Sequence, residues 1–182
     1  MIQTRENAAK EAAMRVAQQM VAAAVTAPKG CGIDNIEAVI VDGEEKDILA
    51  NHMRDIAQET GMEFFTRDAW NVDNSHCVVL IAVKNNPILL DSCSLCGFEN
   101  CGKTKEAGAN CAFNIVDLGI AIGSVVSIAA DSRMDNRVMF SAGKGAIRQK
   151  IFSEDVRVCF GIPLSTSAKS IFFDRDPANV MA

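Results

Sequence analysis

Four of the seven cysteines in this 182-residue chain lie within nineteen residues, as Cys93-Ser94-Leu95-Cys96-Gly97-Phe98-Glu99-Asn100-Cys101, then nine residues, then Cys111. The total is odd and no secretion signal is visible. In a reducing compartment disulfides are disfavoured, so a cluster this tight points to metal binding or thiol catalysis. The segment from Ser92 to Cys111 is too short to fold as an independent domain. It reads as an insertion in a single domain spanning 1–182.

Thiolates are the usual protein ligands of iron–sulfur clusters, and four of them complete one [4Fe-4S] cube. The two-residue gap lets Cys93 and Cys96 reach neighbouring irons from one turn. Gly97 and Gly102 let backbone N–H groups approach the sulfides. Cys111 would close the site from the first turn of a long helix, where the macrodipole favours a thiolate. Three alternatives stand beside this reading. Zinc at the same cysteines is the first, although structural zinc sites usually pair two short-spaced knuckles. A redox-active Cys93/Cys96 dithiol leaves Cys101 and Cys111 unexplained. Unligated buried thiols are the third.

Hydrophobic residues make up 49% and charged residues 23%, the balance of a globular chain, and the net charge is −5. No Lys/Arg cluster offers a face for phosphates, Tyr is absent and Trp occurs once, so no nucleic-acid partner is expected. Arg5, Glu6, Lys10, Glu11 and Arg15 interrupt the N-terminal segment, which therefore lacks the apolar core of a signal peptide. Residues 111–130 are apolar enough to cross a membrane but contain Asn114 and Asp117. Asp is costly in lipid, so a central buried helix, no membrane and a cytoplasmic location are expected.

Periodicity predicts helices over 4–26, capped by Thr4, and over 44–60, ending before Gly61. Ile48, Met53, Ile56 and Ala57 are expected on the buried face of the second. Strands are predicted over 36–41 and 77–83, the latter central because it is continuously apolar. Residues 61–75 read as polar and turn-rich. A short helix is expected over 102–107, a long one over 111–130, one more within 147–160, and a last strand over 170–173 before a tail. Residues 131–146 give no clear signal. The alternation makes the chain α+β or α/β.

The Cys-x2-Cys-Gly-x3-Cys run resembles four-cysteine segments of some anaerobic electron-transfer and corrinoid proteins, in which the final spacing is often longer. More broadly, "CGKTKEAGANCAFNIVDLGIAIGSVVSIAADSRMDNRVMFSAG" resembles a bacterial and archaeal family called ferredoxin-domain-containing proteins. The likeness runs from "AAAVTAPKGCGIDNI" to "GIPLSTSAKSIFFDR", and it implies the same four cysteines as cluster ligands.

The scaffold carries a second likeness. "AAAVTAPKG" and "VRVCFGIPLS" are similar to segments of FMN-dependent nitroreductases. That resemblance implies an α+β mixed sheet with packed helices, here with an inserted cysteine-rich loop. It also implies a homodimer with FMN at the subunit interface and Pro28, Lys29 and Gly30 near the flavin. Closely spaced N-terminal arginines of the nitroreductase pattern are missing; only Arg5 and Arg15 stand there.

Outside the motif, Cys77 and Cys159 read as core packing, Cys31 as a turn position, and His52 and His76 as structural or surface residues. Gly119 and Gly123 permit close helix approach, in a core or a dimer seam. Asp131, Arg133, Asp135, Asn136 and Arg137 form a polar group after the long helix. No His-based triad or paired carboxylates are evident. The function expected is therefore electron transfer or an oxidoreductase, with a redox partner protein or a small-molecule substrate. A cluster- or zinc-stapled binding protein is the alternative.

Overall fold

A computed structural model describes residues 2–173. Helix α1 (Arg5–Thr26) starts where expected: Thr4 Oγ1 accepts the Asn7 N–H at 3.3 Å. It leads through a 3-10 turn (Gly30–Gly32) into β1 (Ile36–Val41), α2 (Gly43–Thr60), α3 (Phe64–Asp73) and β2 (Cys77–Lys84). After an irregular stretch come α4 (Cys101–Glu106), α5 (Ala112–Asp131), β3 (Asp135–Asn136), α6 (Phe140–Gln149) and β4 (Val156–Ser165).

The strands form one antiparallel sheet in the order β1-β2-β4-β3. Side chains alternate across a strand, so β2 divides its own sequence between two cores. Cys77, Val79, Ile81 and Val83 face α1 and α5, whereas Val78, Leu80 and Ala82 face α2, α3 and α6. This double burial is why its run is continuously apolar. The fold is a three-layer α+β arrangement.

Five expectations need correction. Residues 61–75 hold a helix, because Phe65, Asp68, Ala69 and Val72 recur at core-facing helical spacing. The polar Asp68 masked that stripe; it is buried and accepts the Ser141 hydroxyl at 2.6 Å. The helix sought within 147–160 begins earlier, as α6, and Val156–Ser165 is a strand instead. Its Pro163 is tolerated because that residue's missing N–H falls on the β3 edge, where Gly161 already pairs with Met139. Residues 170–173 form turns, with Phe172 fully buried, rather than a strand; the tail beyond lies outside the described residues. Finally, α5 is not central. It packs along one face only, through Leu118, Ala121, Val125 and Ala129. On α2 the buried face is Lys46, Leu49, Ala50, Met53 and Ala57, so Ile48 and Ile56 sit at its margin.

By length and composition α5 could cross a membrane, and only 33% of its most apolar window is buried within the chain.

Candidate functional site

The stretch from Asn85 to Asn100 joins β2 to α4 without regular structure and carries Cys93 and Cys96. Leu89, Ser92 and Ser94 adopt left-handed φ values of 57°, 57° and 44°, a conformation that costs non-glycine residues energy. Gly97, at φ 82°, takes the same region without a Cβ penalty. The chain therefore coils tightly here, and the Gly97 N–H donates to Ser94 O at 2.9 Å.

Cys101 opens α4, whose N-cap Asn100 accepts the Lys103 N–H at 3.0 Å. Gly108, at φ 64°, follows the helix where a stop was expected, and its carbonyl accepts Arg157 Nη1 from β4 at 2.6 Å. Cys111 is the N-cap of α5, one position before the first turn, and is 7% exposed. Cys93, Cys96, Cys101 and Cys111 all line one cavity of about 220 Å³, together with Thr104 and Phe113. All four are free thiols. Among the described residues no three His, Cys, Asp or Glu side chains converge as a single-ion site.

Cys96 Sγ lies 3.1 Å from the Thr104 hydroxyl. That contact, with help from the Phe98 backbone, holds the Cys96 thiol below its ordinary pKa. Cys77 and Cys159 behave oppositely. Burial pushes Cys77 up to about 12 and Cys159 well above the usual thiol range, which suits core packing and makes both poor nucleophiles. Cys31 is exposed at φ 54° in the 3-10 turn.

Sequence reasoning missed the asparagines that hold the site. Asn85, directly after β2, donates from Nδ2 to Ala109 O at 3.1 Å and accepts the Cys111 N–H on Oδ1 at 3.2 Å. One amide thus clamps both sides of Asn110 and places Cys111 against the sheet end. The Asn86 N–H donates to Asn114 Oδ1 at 3.1 Å, and its side chain pairs with Asn35. The Asn85-Asn86 pair after an apolar strand was the available signal.

The turn at Pro28, Lys29 and Gly30 reaches this neighbourhood from the other side. A Cβ on Gly30 would stand 3.2 Å from the ring of Phe113, the residue that lines the cysteine cavity. Lys29, however, serves the scaffold. Its ammonium donates to the carbonyls of Ala24, Val25 and Ala27 at 2.9, 2.7 and 2.8 Å and so caps the end of α1. The side chain is 5% exposed. Pro28 is exposed, and the Gly30 N–H donates to Asp117.

Of the other residues singled out, His76 Nε2 sits 2.7 Å from the Thr166 hydroxyl, and His52 lies 3.8 Å from Asp55. Arg137 lies over the Phe173 ring at 5.7 Å and approaches Asp68 at 4.0 Å, while Asn136 pairs in β3.

A family model described as "Uncharacterized protein containing a ferredoxin domain (DUF2148)" matches residues 107–175, a span that includes Cys111 but not the other three motif cysteines. An uncharacterized protein of Archaeoglobus fulgidus is 42% identical over 166 residues, covering 87% of this chain and 89% of its own. Among solved structures, a nitroreductase with bound FMN from Desulfitobacterium hafniense superposes with a TM-score of 0.58 at 12% identity, covering 93% of this chain and 81% of its own. A putative nitroreductase in complex with FMN from Desulfovibrio desulfuricans gives 0.58 at 14%, covering 90% and 79%. At such identities the likeness is one of fold: the chain has a nitroreductase-like scaffold.

Proposed function

Because the chain belongs to the family of uncharacterized proteins containing a ferredoxin domain, we propose that it is a redox protein holding a [4Fe-4S] cluster on Cys93, Cys96, Cys101 and Cys111. The observation that carries this reading is the shared cavity: three chain segments bring four free thiols to its wall. A lone tetrahedral zinc needs its donors about 2.3 Å from one point, whereas a cube spreads four thiolates over four irons.

When bound, the cluster supplies one-electron transfer. The chain's own residues do the rest. Asn85 fixes Cys111, the left-handed turns at Ser92 and Ser94 set Cys93 and Cys96, and the Asn100 cap sets Cys101. Leu89, Leu90 and Leu95 stand exposed on the same loop, where an electron partner or a small-molecule substrate would approach.

The fold also suggests FMN. The close approach of Phe113 to the Cβ position of Gly30 brings the flavin candidate turn near the cysteine cavity, but Lys29, with its three donors on carbonyls, does not fit as a phosphate ligand. No step is assigned to a flavin. A homodimer is part of the proposal, through the exposed face of α5 described by Val116, Gly119, Ile120 and Gly123.

Anaerobic purification with iron, sulfide, zinc and flavin analysis tests the reading, with visible spectra before and after dithionite. About four irons and four sulfides per chain with bleachable absorption are expected. About one zinc and no colour would make the motif a staple. Cys93→Ser, Cys96→Ser, Cys101→Ser and Cys111→Ser should each lose iron while Cys31→Ser keeps it. Wild-type loading in Cys101→Ser or Cys111→Ser would overturn the four-ligand assignment.

A further inference from the structure

We propose that Thr104 sets the reduction potential of the four-cysteine centre by donating its hydroxyl hydrogen bond to Cys96 Sγ. The inference rests on the cluster reading above and names a positioning residue within it.

Thr104 sits one turn along α4 from Asn100. Its hydroxyl has two acceptors in reach, the Asn100 carbonyl at 3.3 Å and Cys96 Sγ at 3.1 Å. A threonine in a helix commonly bonds back to the carbonyl four residues earlier, and here that bond fixes the rotamer that aims the oxygen at the sulfur. A hydroxyl carries one proton. While Cys96 is a neutral thiol, its own S–H can donate to Thr104, leaving the hydroxyl proton on Asn100. A ligating thiolate has no proton and only accepts, so the hydroxyl proton turns to the sulfur. Charged acceptors hold such bonds more strongly than a neutral carbonyl.

Burial makes this bond hard to replace. Thr104 is 1% exposed, so water cannot take over the hydroxyl's place without repacking. Among the described residues Cys96 is the only one of the four ligand candidates whose sulfur has a side-chain hydrogen bond. On reduction one electron enters from an external reductant, and no bond to the protein forms or breaks. The added negative charge falls partly on the thiolate sulfurs, where a hydrogen bond stabilises the reduced state more than the oxidised one. The bond therefore raises the potential.

Dye-mediated redox titration of anaerobically purified protein tests this, with iron and sulfide measured on every sample. Thr104→Val, nearly isosteric, and Thr104→Ala should keep wild-type iron and titrate at a lower potential. Thr104→Ser, which restores the hydroxyl, should return to the wild-type value. Equal potentials in wild type, Thr104→Val and Thr104→Ala would overturn the assignment, as would a Thr104→Ser potential as low as that of Thr104→Val. Loss of iron from both hydroxyl-free variants would also overturn it, since Thr104 would then be needed for assembly rather than tuning. A wild type without iron would instead remove the cluster reading itself, and the metal analysis separates that failure from the others.

Discussion

The Gly30 N–H donates to Asp117 Oδ1 at 2.9 Å and ties the turn after α1 to the first half of α5, two turns beyond Cys111. Asp117 is 4% exposed, and this half-buried bond joins residues 87 positions apart. Asp117→Ala leaves the Gly30 donor without its partner and should cost about 1–3 kcal/mol in urea denaturation. Asp117→Asn keeps an acceptor at the same place and should lose less than half of that. Equal losses in the two variants would mean that the bond is not what stabilises the corner.

Helix α6 approaches β4 as closely as backbone allows. A Cβ on Gly143 would lie 1.8 Å from the Cys159 carbonyl oxygen and 2.4 Å from its carbon, contacts that no rotamer change relieves. Gly143→Ala should therefore separate helix from sheet and destabilise by about 3 kcal/mol or more.

Alkaline pH should weaken the fold through its buried thiols. Burial raises Cys77 from 9.0 to about 12, so between those values the native chain holds a proton that the unfolded chain has released. Stability from this group is full below about pH 9 and is lost as pH rises toward the folded value. The loss expected from Cys77 alone is about 1.4 kcal/mol at pH 10 relative to pH 8, read from urea midpoints. Cys77→Ala should remove its own share of that dependence and leave the share of Cys159, even though it lowers stability at pH 8.

Sedimentation equilibrium checks the proposed homodimer. Val116 is 53% exposed and belongs to a face of α5 without a single charge, since Asp117, the one charged residue before Asp131, turns inward. Ile120→Glu should shift a dimer toward monomer while leaving the circular dichroism spectrum unchanged. A monomeric wild type at tens of micromolar would sink the dimer.

Local chemistry was enough to read α1, α2, β1, β2 and α4 from the chain. Each carries its own signal: the Thr4 cap, Gly61 at φ 71°, the β-branched run of β1, the doubly buried run of β2 and the Gly108 stop. The four cysteines were legible for the same reason, because their spacing is itself the motif. What could not be read depends on partners far away in sequence. Asp68 is polar on a core face only because Ser141 meets it, so α3 looked like a turn. Residues 131–146 gave no clear signal, and the glycines at 143 and 145 within them are the places where β4 and α2 come close. Resemblance placed Lys29 near a flavin, and only the folded chain shows it capping α1.

The sequence alone determined which four cysteines are the candidate ligands, the strand that anchors the sheet and the nitroreductase-like class of the scaffold. Tertiary structure decided that the Asn85 amide holds Cys111, that Thr104 meets Cys96, and that a Cβ at Gly30 would crowd Phe113 on the wall of the cysteine cavity. Hydrogen bonds and van der Waals contacts act over a few ångströms in space, whatever the separation along the chain. Spacing rules therefore reveal which residues can serve as ligands, and only the fold reveals which side chains stand against them.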